Sequence, residues 1–576
     1  MASVAPSDNE TKDAARMVAY FSMEIGLEDS MPTYAGGLGV LAGDTIRAAA
    51  DLGVALVAVS LVHRKGYFRQ RLDEAGNQTE EPLTWPVAER LAEMPPRVSV
   101  EIEHRTVALR AWRYEAKGVS GHVVPVYLLD ADLPENDAAD RGLTDYLYGG
   151  DERTRLCQEV VLGIGGVRML RALGYRRLHR FHMNEGHASL LTVELVYEAA
   201  SERNLGEITW ELVQSIKPMC VFTTHTPVAA GHDKFPLSLV ARVITGYGHD
   251  FDARAQEFCI DGCLNMTYLA LDNSRYINGV AKKHGELARH MFGERKIDSI
   301  TNGVHAATWA SAPIQALLDR HIPGWREDNR SLRYAIGIPG QQVWEAHRAA
   351  KHALIDHVNA ATGAGFDEEA FTIGFARRAT TWKRADLLFF DPDWLKAIAG
   401  RAGAFQLVFA GKAHPHDEPG KALIRRVVAM RGRLAPAIRL VYLADYDMRL
   451  ARLLTAGSDL WLNTPQAPLE ASGTSGMKAA LNGVPSLSVL DGWWGEGCIE
   501  GVTGWAIGAN VAFETDDDRA ADARSLYGKL EHAVLPLFYG RREGYIDIMR
   551  HAIALNGSFF NTERMLDQYV RKAYFE

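Results

Sequence analysis

The sequence predicts an α/β protein built from two doubly wound, Rossmann-like halves that face each other across a central cleft. Three observations carry that prediction. Apolar runs rich in β-branched residues alternate with helical patterns in both halves, the signature of parallel sheets covered by helices. The 576 residues are several times the usual domain size, so more than one core must form. The alternation is interrupted between Trp309 and Phe371, where the pattern turns helical and polar and Pro313, Pro323 and Pro339 break it. The crossover therefore falls there: residues 1–325 form one domain, 326–555 a second, and 556–576 a closing helix that packs back on the first.

In the first half the candidate strands are Gly53 to Val62, Val123 to Leu129 and Pro218 to Thr224, with a long helical pattern from about Thr154 to Leu173. In the second half they are Phe371 to Arg377, Phe405 to Ala410, Ile438 to Leu443, Asp459 to Asn463 and Pro485 to Leu490. No internal repeat or low-complexity tract interrupts them. In open α/β sheets ligands collect in the loops at the carboxyl ends of strands, so the residues just past each strand are the ones to read for chemistry.

Composition removes some functions before any motif is read. Apolar residues at 47% and charged residues at 23% are the balance of a folded globular protein, not a disordered or fibrous one. The net charge is −9 and no block of consecutive Lys or Arg could neutralise a run of phosphates, so nucleic acid is not an expected partner. Met1 to Thr11 is polar and acidic, without the basic flank and apolar run of a secretory signal. Nowhere do about 18 apolar residues follow one another, so no membrane span is expected. The five cysteines, Cys157, Cys220, Cys259, Cys263 and Cys498, are odd in number and scattered, which suits a reducing cytoplasm. Cys259 and Cys263 have ligand-like spacing but no matching second pair, so no metal site is assigned.

Three segments carry candidate chemistry. Gly36-Gly37-Leu38-Gly39-Val40-Leu41-Ala42-Gly43-Asp44 precedes a helical pattern from Thr45 to Leu52. Glycines let backbone N–H groups approach an anion, and a following helix adds its positive end, although the same pattern serves tight packing. Phe375-Ala376-Arg377-Arg378-Ala379-Thr380-Thr381-Trp382-Lys383-Arg384 follows a strand, and its cations suit either a phosphate or a solvated basic turn. Pro468-Leu469-Glu470-Ala471-Ser472-Gly473-Thr474-Ser475-Gly476-Met477-Lys478 combines small donors with a lysine that enters an apolar setting. Desolvation would lower that lysine's proton affinity, as reaction with an aldehyde cofactor requires; a structural lysine at a helix start has the same spacing.

Three polar loops follow apolar stretches: Asn184-Glu185-Gly186-His187, Thr223-Thr224-His225-Thr226-Pro227 and Thr301-Asn302-Gly303-Val304-His305. Their side chains could read sugar hydroxyls or serve as core and capping groups. Glu470 has the same ambiguity between sugar contact, helix cap and surface charge.

In this order the segments resemble the glycogen, starch and maltodextrin phosphorylase family. The opening Tyr20-Phe21-Ser22-Met23-Glu24 with GGLGVLAGD is similar to its short bacterial α-glucan phosphorylase branch. The resemblance runs from about Val18 past Asp491, and EASGTSGMK followed by Asn482-Gly483 is its most specific part. It implies a GT-B-type glycosyltransferase fold whose second domain binds pyridoxal 5′-phosphate. Lys478 would hold that cofactor covalently, with Thr474, Ser475, Gly476 and Arg377 near its phosphate and Tyr446 close by. Arg378 and Lys383, helped by the amides of Gly36 and Gly37, would grip inorganic phosphate. His225, Asn302, Glu470, Ser472 and Gly473 would line the glucose site, with His225 joining Lys478, Arg378 and Lys383 in catalysis.

The implied reaction is retaining phosphorolysis of terminal α-1,4-linked glucose by phosphate, giving glucose 1-phosphate. No pair of carboxylic acids of the kind a hydrolase needs stands out. Thr380 and Trp382 occupy positions where animal and plant members carry histidine and tyrosine, so contacts at the phosphate loop differ there. No long N-terminal extension is visible, so control by phosphorylation or nucleotides is not expected. The resemblance implies a homodimer, while the shorter chain leaves the pairing surface and any polymer-storage site open. Two further readings share the fold: a nucleotide-sugar synthase, which lacks the cofactor, and a non-catalytic glucan binder.

Overall fold

A computed structural model describes residues 16–227, 232–247, 258–293, 295–508 and 518–575. The segment Met1 to Thr11 lies outside the described residues. Chain order introduces β1 (Met17–Ser22) and β2 (Leu56–Leu61), then a hairpin of β3 (Arg69–Leu72) and β4 (Gln78–Glu81). Next come β5 (Ala92–Glu93), β6 (Val98–Ile102), β7 (Arg105–Lys117), β8 (Val123–Asp130), β9 (Leu178–Asn184) and β10 (Cys220–Thr223). A small sheet of β11 (Lys234–Pro236), β12 (Cys259–Ile260) and β13 (Cys263–Asn265) precedes β14 (Tyr276–Gly279) and β15 (Asp298–Ser299). The second half supplies β16 (Phe371–Ala376), β17 (Phe405–Ala410), β18 (Arg439–Leu443), β19 (Leu460–Asn463), β20 (Ser486–Val489) and β21 (Gly504–Ile507).

The architecture is mixed α/β with two large sheets. The first has ten strands in the order β15-β14-β10-β9-β1-β2-β8-β7-β5, with β6 on β7; its run from β15 to β8 is parallel. The second is a six-stranded parallel sheet, β18-β17-β16-β19-β20-β21. Because side chains alternate across a strand, Val18 and Tyr20 of β1 enter one core while Ala19 and Phe21 enter another on the opposite face. Burial on both faces explains why these strands read as nearly continuous apolar runs.

Strand expectations survive with ends shifted by one to three residues, Val123 to Leu129 extending to Asp130. Gly53 sits at φ +66° just after the helix Gly37–Asp51, so the strand read as Gly53 to Val62 starts at Leu56. Phe405 to Ala410 forms a strand without change. Of the prolines in the crossover, Pro313 and Pro339 stand at the starts of the helices Ala312–His321 and Gly340–Thr362, where the missing N–H costs nothing.

Two local expectations are corrected. The glycine-rich segment is not a loop ahead of a helix from Thr45: the helix begins at Gly37. The reason is packing, because a Cβ at Gly43 would lie 1.9 Å from Gly26 O, and Gly26 N donates to Gly39 O at 2.7 Å. The long helix runs from Glu152 to Ala172 but opens into a wide π-turn over Val161–Gly165. There a Cβ at Gly163 would meet Leu191 N at 2.7 Å.

Two devices join the halves of the chain. The hairpin β3–β4 sends Gln70 Nε2 to Gly411 O (3.0 Å) and Gln78 Nε2 to Ala413 O (2.9 Å), and Gln70 N donates to Asp445 Oδ1 (3.1 Å). The segment Thr562–Tyr574 runs beneath the first sheet, where Tyr574 OH meets His182 Nδ1 at 2.7 Å and Tyr569 OH meets Thr223 Oγ1 at 3.1 Å. Among the described residues, no helix is long and apolar enough to cross a membrane.

Candidate active site

The basic loop leaves β16 at Arg377, whose amide donates to Ala410 O at 3.2 Å. Gly411, at φ +144°, permits this approach, since a Cβ there would lie 2.0 Å from Arg377 O. Past β19 the chain returns with Glu470, and the two loops meet through ion pairs. Glu470 Oε2 accepts from Arg377 Nη2 and from Lys383 Nζ, the latter at 2.6 Å. All three groups are nearly buried. Burial works against the Glu470 charge, but Arg377 and Lys383 outweigh it and hold the carboxyl below the usual range. Burial pushes the Lys383 ammonium down to about 7, with Arg377 adding repulsion and Glu470 opposing it. The Lys383 amine also lies 3.5 Å from the centroid of the Trp382 ring.

One carboxylate shared by two cations leaves positive charge uncompensated. Arg377 Nε and Nη1 are buried and have no hydrogen-bond partner among the described residues. Unpaired buried donors on a guanidinium are costly, and they mark a place where an anion would be held. Arg378 is exposed and reaches the glycine-rich segment: a Cβ at Gly36 would lie 3.2 Å from its Nη2. The Gly36 amide itself donates to Glu24 Oε2 at 3.2 Å, so that carboxylate already occupies one of the donors assigned to phosphate. Gly37 is the first residue of its helix, and its amide has no acceptor within the helix.

Lys478 lies in the helix Ser475–Leu481, is 5% exposed, and rests its amine 3.6 Å from the centroid of Trp309. Burial pushes its ammonium down to about 8, against the opposing charge of Asp44. Asp44 Oδ2 accepts from Trp309 Nε1 (2.7 Å) and His305 N (3.1 Å). Asn482 Nδ2 donates to both Trp309 O and Lys478 O at 2.8 Å, tying the ring and the lysine backbone together. Sequence reasoning quoted Asp44 within its glycine segment but gave no role to it or to Trp309. A carboxylate amid the apolar positions of a buried helix was the available signal.

Around this lysine, Thr474 precedes the helix, Ser475 Oγ accepts from Trp461 Nε1 at 3.1 Å, and Gly476 packs against Trp493. Ser472 O accepts from Trp493 N at 2.9 Å, and a Cβ at Gly473 would lie 3.4 Å from Glu470 Oε1. Tyr446 is within electrostatic reach of Arg377, and burial raises its phenol well above the ordinary value.

The polar loops follow β9, β10 and β15 of the first sheet. Glu185, at φ +75°, accepts from Gly186 N, His225 N and Thr226 Oγ1, which pins the first two loops to each other. His225 Nε2 lies 2.6 Å from Asn184 Oδ1, and burial pushes the ring down to about 3, so it is neutral at pH 7. Asn184 Nδ2 donates to Ser22 Oγ, so its Oδ1 faces the imidazole as acceptor and His225 Nε2 carries the proton. That arrangement suits hydrogen bonding to a hydroxyl better than charged acid catalysis. Asn302 N donates to Val280 O at 3.0 Å, while its buried Oδ1 has no partner among the described residues. Among the described residues, no hydrogen bond or ion pair joins His225 or Asn302 to the Arg377 group; proximity between the two sheets' loops comes through Gly36 and Arg378.

The residues fit the cofactor that the resemblance implies. The structure supplies an amine of lowered proton affinity, an aromatic face beside it, and unpaired guanidinium donors in the adjoining loop.

Comparison with known proteins agrees with this chemistry. A family model described as carbohydrate phosphorylase matches residues 252–496. Maltodextrin phosphorylase from Thermococcus litoralis is 40% identical, the alignment covering 97% of this chain and 70% of the relative. Glycogen phosphorylase from Mycobacterium tuberculosis is 38% identical over the same shares, 97% and 70%. Glycogen phosphorylase from Aquifex aeolicus is 34% identical over 97% of this chain and 86% of that protein.

Proposed function

The chain belongs to the carbohydrate phosphorylase family, and from that premise we propose a residue-level account of its activity. It is an α-glucan phosphorylase, a pyridoxal-phosphate-dependent glycosyltransferase that releases glucose 1-phosphate from the end of an α-1,4-linked glucan. In our reading the two large sheets belong to Rossmann-like domains of a GT-B arrangement, and the loops at the carboxyl ends of their parallel strands line a common cleft. The substrates are glucan and inorganic phosphate, and the unpaired cysteines suit a cytoplasmic enzyme.

Lys478 holds the cofactor covalently, and Arg377 with Thr474, Ser475 and Gly476 takes its phosphate. When bound, the cofactor supplies a second phosphate that can share a proton with the substrate phosphate. Arg378 and Lys383, with the Gly37 amide, hold the substrate phosphate. Glu470, which now pairs with both Arg377 and Lys383, must share those cations with the incoming anions; releasing one frees a carboxylate oxygen for a sugar hydroxyl. His225, Asn302, Ser472 and Gly473 read the rest of the sugar. The substrate phosphate protonates the glycosidic oxygen as the bond to C1 breaks, then forms its own bond to C1 on the same face. The cationic loop stabilises the negative charge that develops during this exchange.

The observation that carries the reading is the pair of buried, unpartnered Arg377 donors in a loop whose cations outnumber Glu470. Purified protein given maltodextrin and phosphate should form glucose 1-phosphate and show a near-ultraviolet or visible band from bound cofactor. Lys478→Ala should abolish both. Turnover that needs a nucleotide sugar, or no band after cofactor supplementation of folded protein, would overturn the account.

A further inference from the structure

Arg564 belongs to the segment beneath the first sheet, far along the chain from the residues of the candidate site. The residue is 9% exposed, and among the described residues no carboxylate is bonded to its guanidinium. Nε donates to Phe559 O (2.7 Å), Nη1 to Thr301 O (2.6 Å) and Gln568 Oε1 (3.3 Å), and Nη2 to Asn302 O (2.9 Å). Burial without a bonded acid pushes its proton affinity down to about 10, so the side chain stays charged at pH 7. A buried cation directed at main-chain carbonyls costs more than a neutral donor would, which calls for a reason beyond packing.

The loop it holds supplies that reason. Val304 N donates to Phe560 O at 3.1 Å and Thr562 N to Val304 O at 3.0 Å, a short parallel bridge with Asn561. Gly303 is pressed so close that a Cβ would lie 2.2 Å from Asn561 C and O. From the other side, Glu496 accepts from Thr301 Oγ1 at 2.9 and 3.0 Å. The backbone of Thr301-Asn302-Gly303-Val304 is thus fixed on both sides, while the Asn302 side chain keeps a buried Oδ1 with no acceptor role filled among the described residues.

We propose that Arg564 is a positioning residue: by gripping the carbonyls of Thr301 and Asn302, it fixes the angle at which the Asn302 amide meets the sugar of the glucan. The inference rests on the phosphorylase reading in naming that sugar. It adds that sugar recognition depends on a residue in the closing segment of the chain, through the backbone of a loop in the first sheet.

The test is a mutant cycle on the cofactor-loaded, full-length protein, with Arg564→Lys, Asn302→Ala and the double variant. Wild-type formation of glucose 1-phosphate checks the underlying reading by itself. Arg564→Lys keeps the charge but loses the forked geometry, and should raise KM for maltodextrin about tenfold, the scale of one good hydrogen bond. KM for phosphate should stay unchanged. In the Asn302→Ala background the same change should add nothing. Equal rises in both KM values, or full additivity, would reduce Arg564 to a general structural role and overturn the proposal. Should Arg564→Lys fail to fold, Thr562→Pro serves instead. It removes the main-chain bond to Val304 O, at a first helical position that accepts proline, together with a buried hydroxyl that has no hydrogen-bond partner among the described residues, and it should give the same selective pattern.

Discussion

Raising the pH of cofactor-free protein should discharge the amine of Lys478 well before that of any exposed lysine. An ordinary lysine titrates at 10.5, whereas burial beneath Trp309 brings Lys478 to about 8. At pH 7 roughly one Lys478 amine in ten is then uncharged, against about one in three thousand for the exposed side chain, an advantage of about 300-fold. Pulsed acylation between pH 6 and 11, read by mass spectrometry on the Lys478 peptide, gives the midpoint directly. The midpoint rather than the amplitude is read, so slower entry of the reagent cancels. Asp44→Asn should move the midpoint lower still, because the carboxylate supports the charged form. The sign for folding follows. The folded value lies below the unfolded one, so the destabilisation is complete below about pH 8 and disappears as pH rises to 10.5; at pH 7 it amounts to about 3 kcal/mol. Lys478→Met should therefore stabilise the cofactor-free protein at pH 7 and not at pH 10.5. A Lys478 midpoint at or above 10 would refute this reasoning.

The remaining expectations concern the neighbouring loop and the glycine-rich helix. Lys383 loses its charge above about pH 7 in the phosphate-free protein, so KM for phosphate should climb as pH passes through that value. Glu470→Gln, which deletes the supporting carboxylate, should shift that climb to lower pH, and a KM flat from pH 6 to 8.5 in both proteins would exclude the assignment. Gly43→Ala should gain about 1 kcal/mol from helix propensity alone. Because the new Cβ would sit 1.9 Å from Gly26 O, denaturant unfolding should instead show a clear loss of stability, and a neutral result would contradict the packing described for Gly26 and Gly43.

Parallel strands buried on both faces leave an unmistakable trace, and Phe405–Ala410 was legible to the residue for that reason. The same logic reached Arg377, Glu470 and Lys478, since each follows a strand of the second sheet. What escaped has a common physical cause. The helix that starts at Gly37 lays Gly39 and Gly43 against the backbone of Gly26, and nothing local separates a glycine loop from a glycine-faced helix. Asp44 and Trp309 act through a contact across 265 residues of sequence, and the hairpin glutamines Gln70 and Gln78 act across more than 330. The π-turn at Val161–Gly165 answers the close approach of Leu190 and Leu191, which no periodicity announces.

The bond from Tyr574 to His182 spans 392 positions of the chain. On a ribosome, the first sheet is therefore synthesised long before the tyrosines that complete one of its faces, and until they emerge His182 and Thr223 lack the ring contacts and hydrogen bonds that Tyr569 and Tyr574 supply. Nascent protein must carry that face incomplete, covered only by earlier elements such as the helix Gly37–Asp51, until the last part of its synthesis. Its exposure to chaperones or to premature aggregation is fixed by the order in which the chain is made, not by the stability of the finished enzyme.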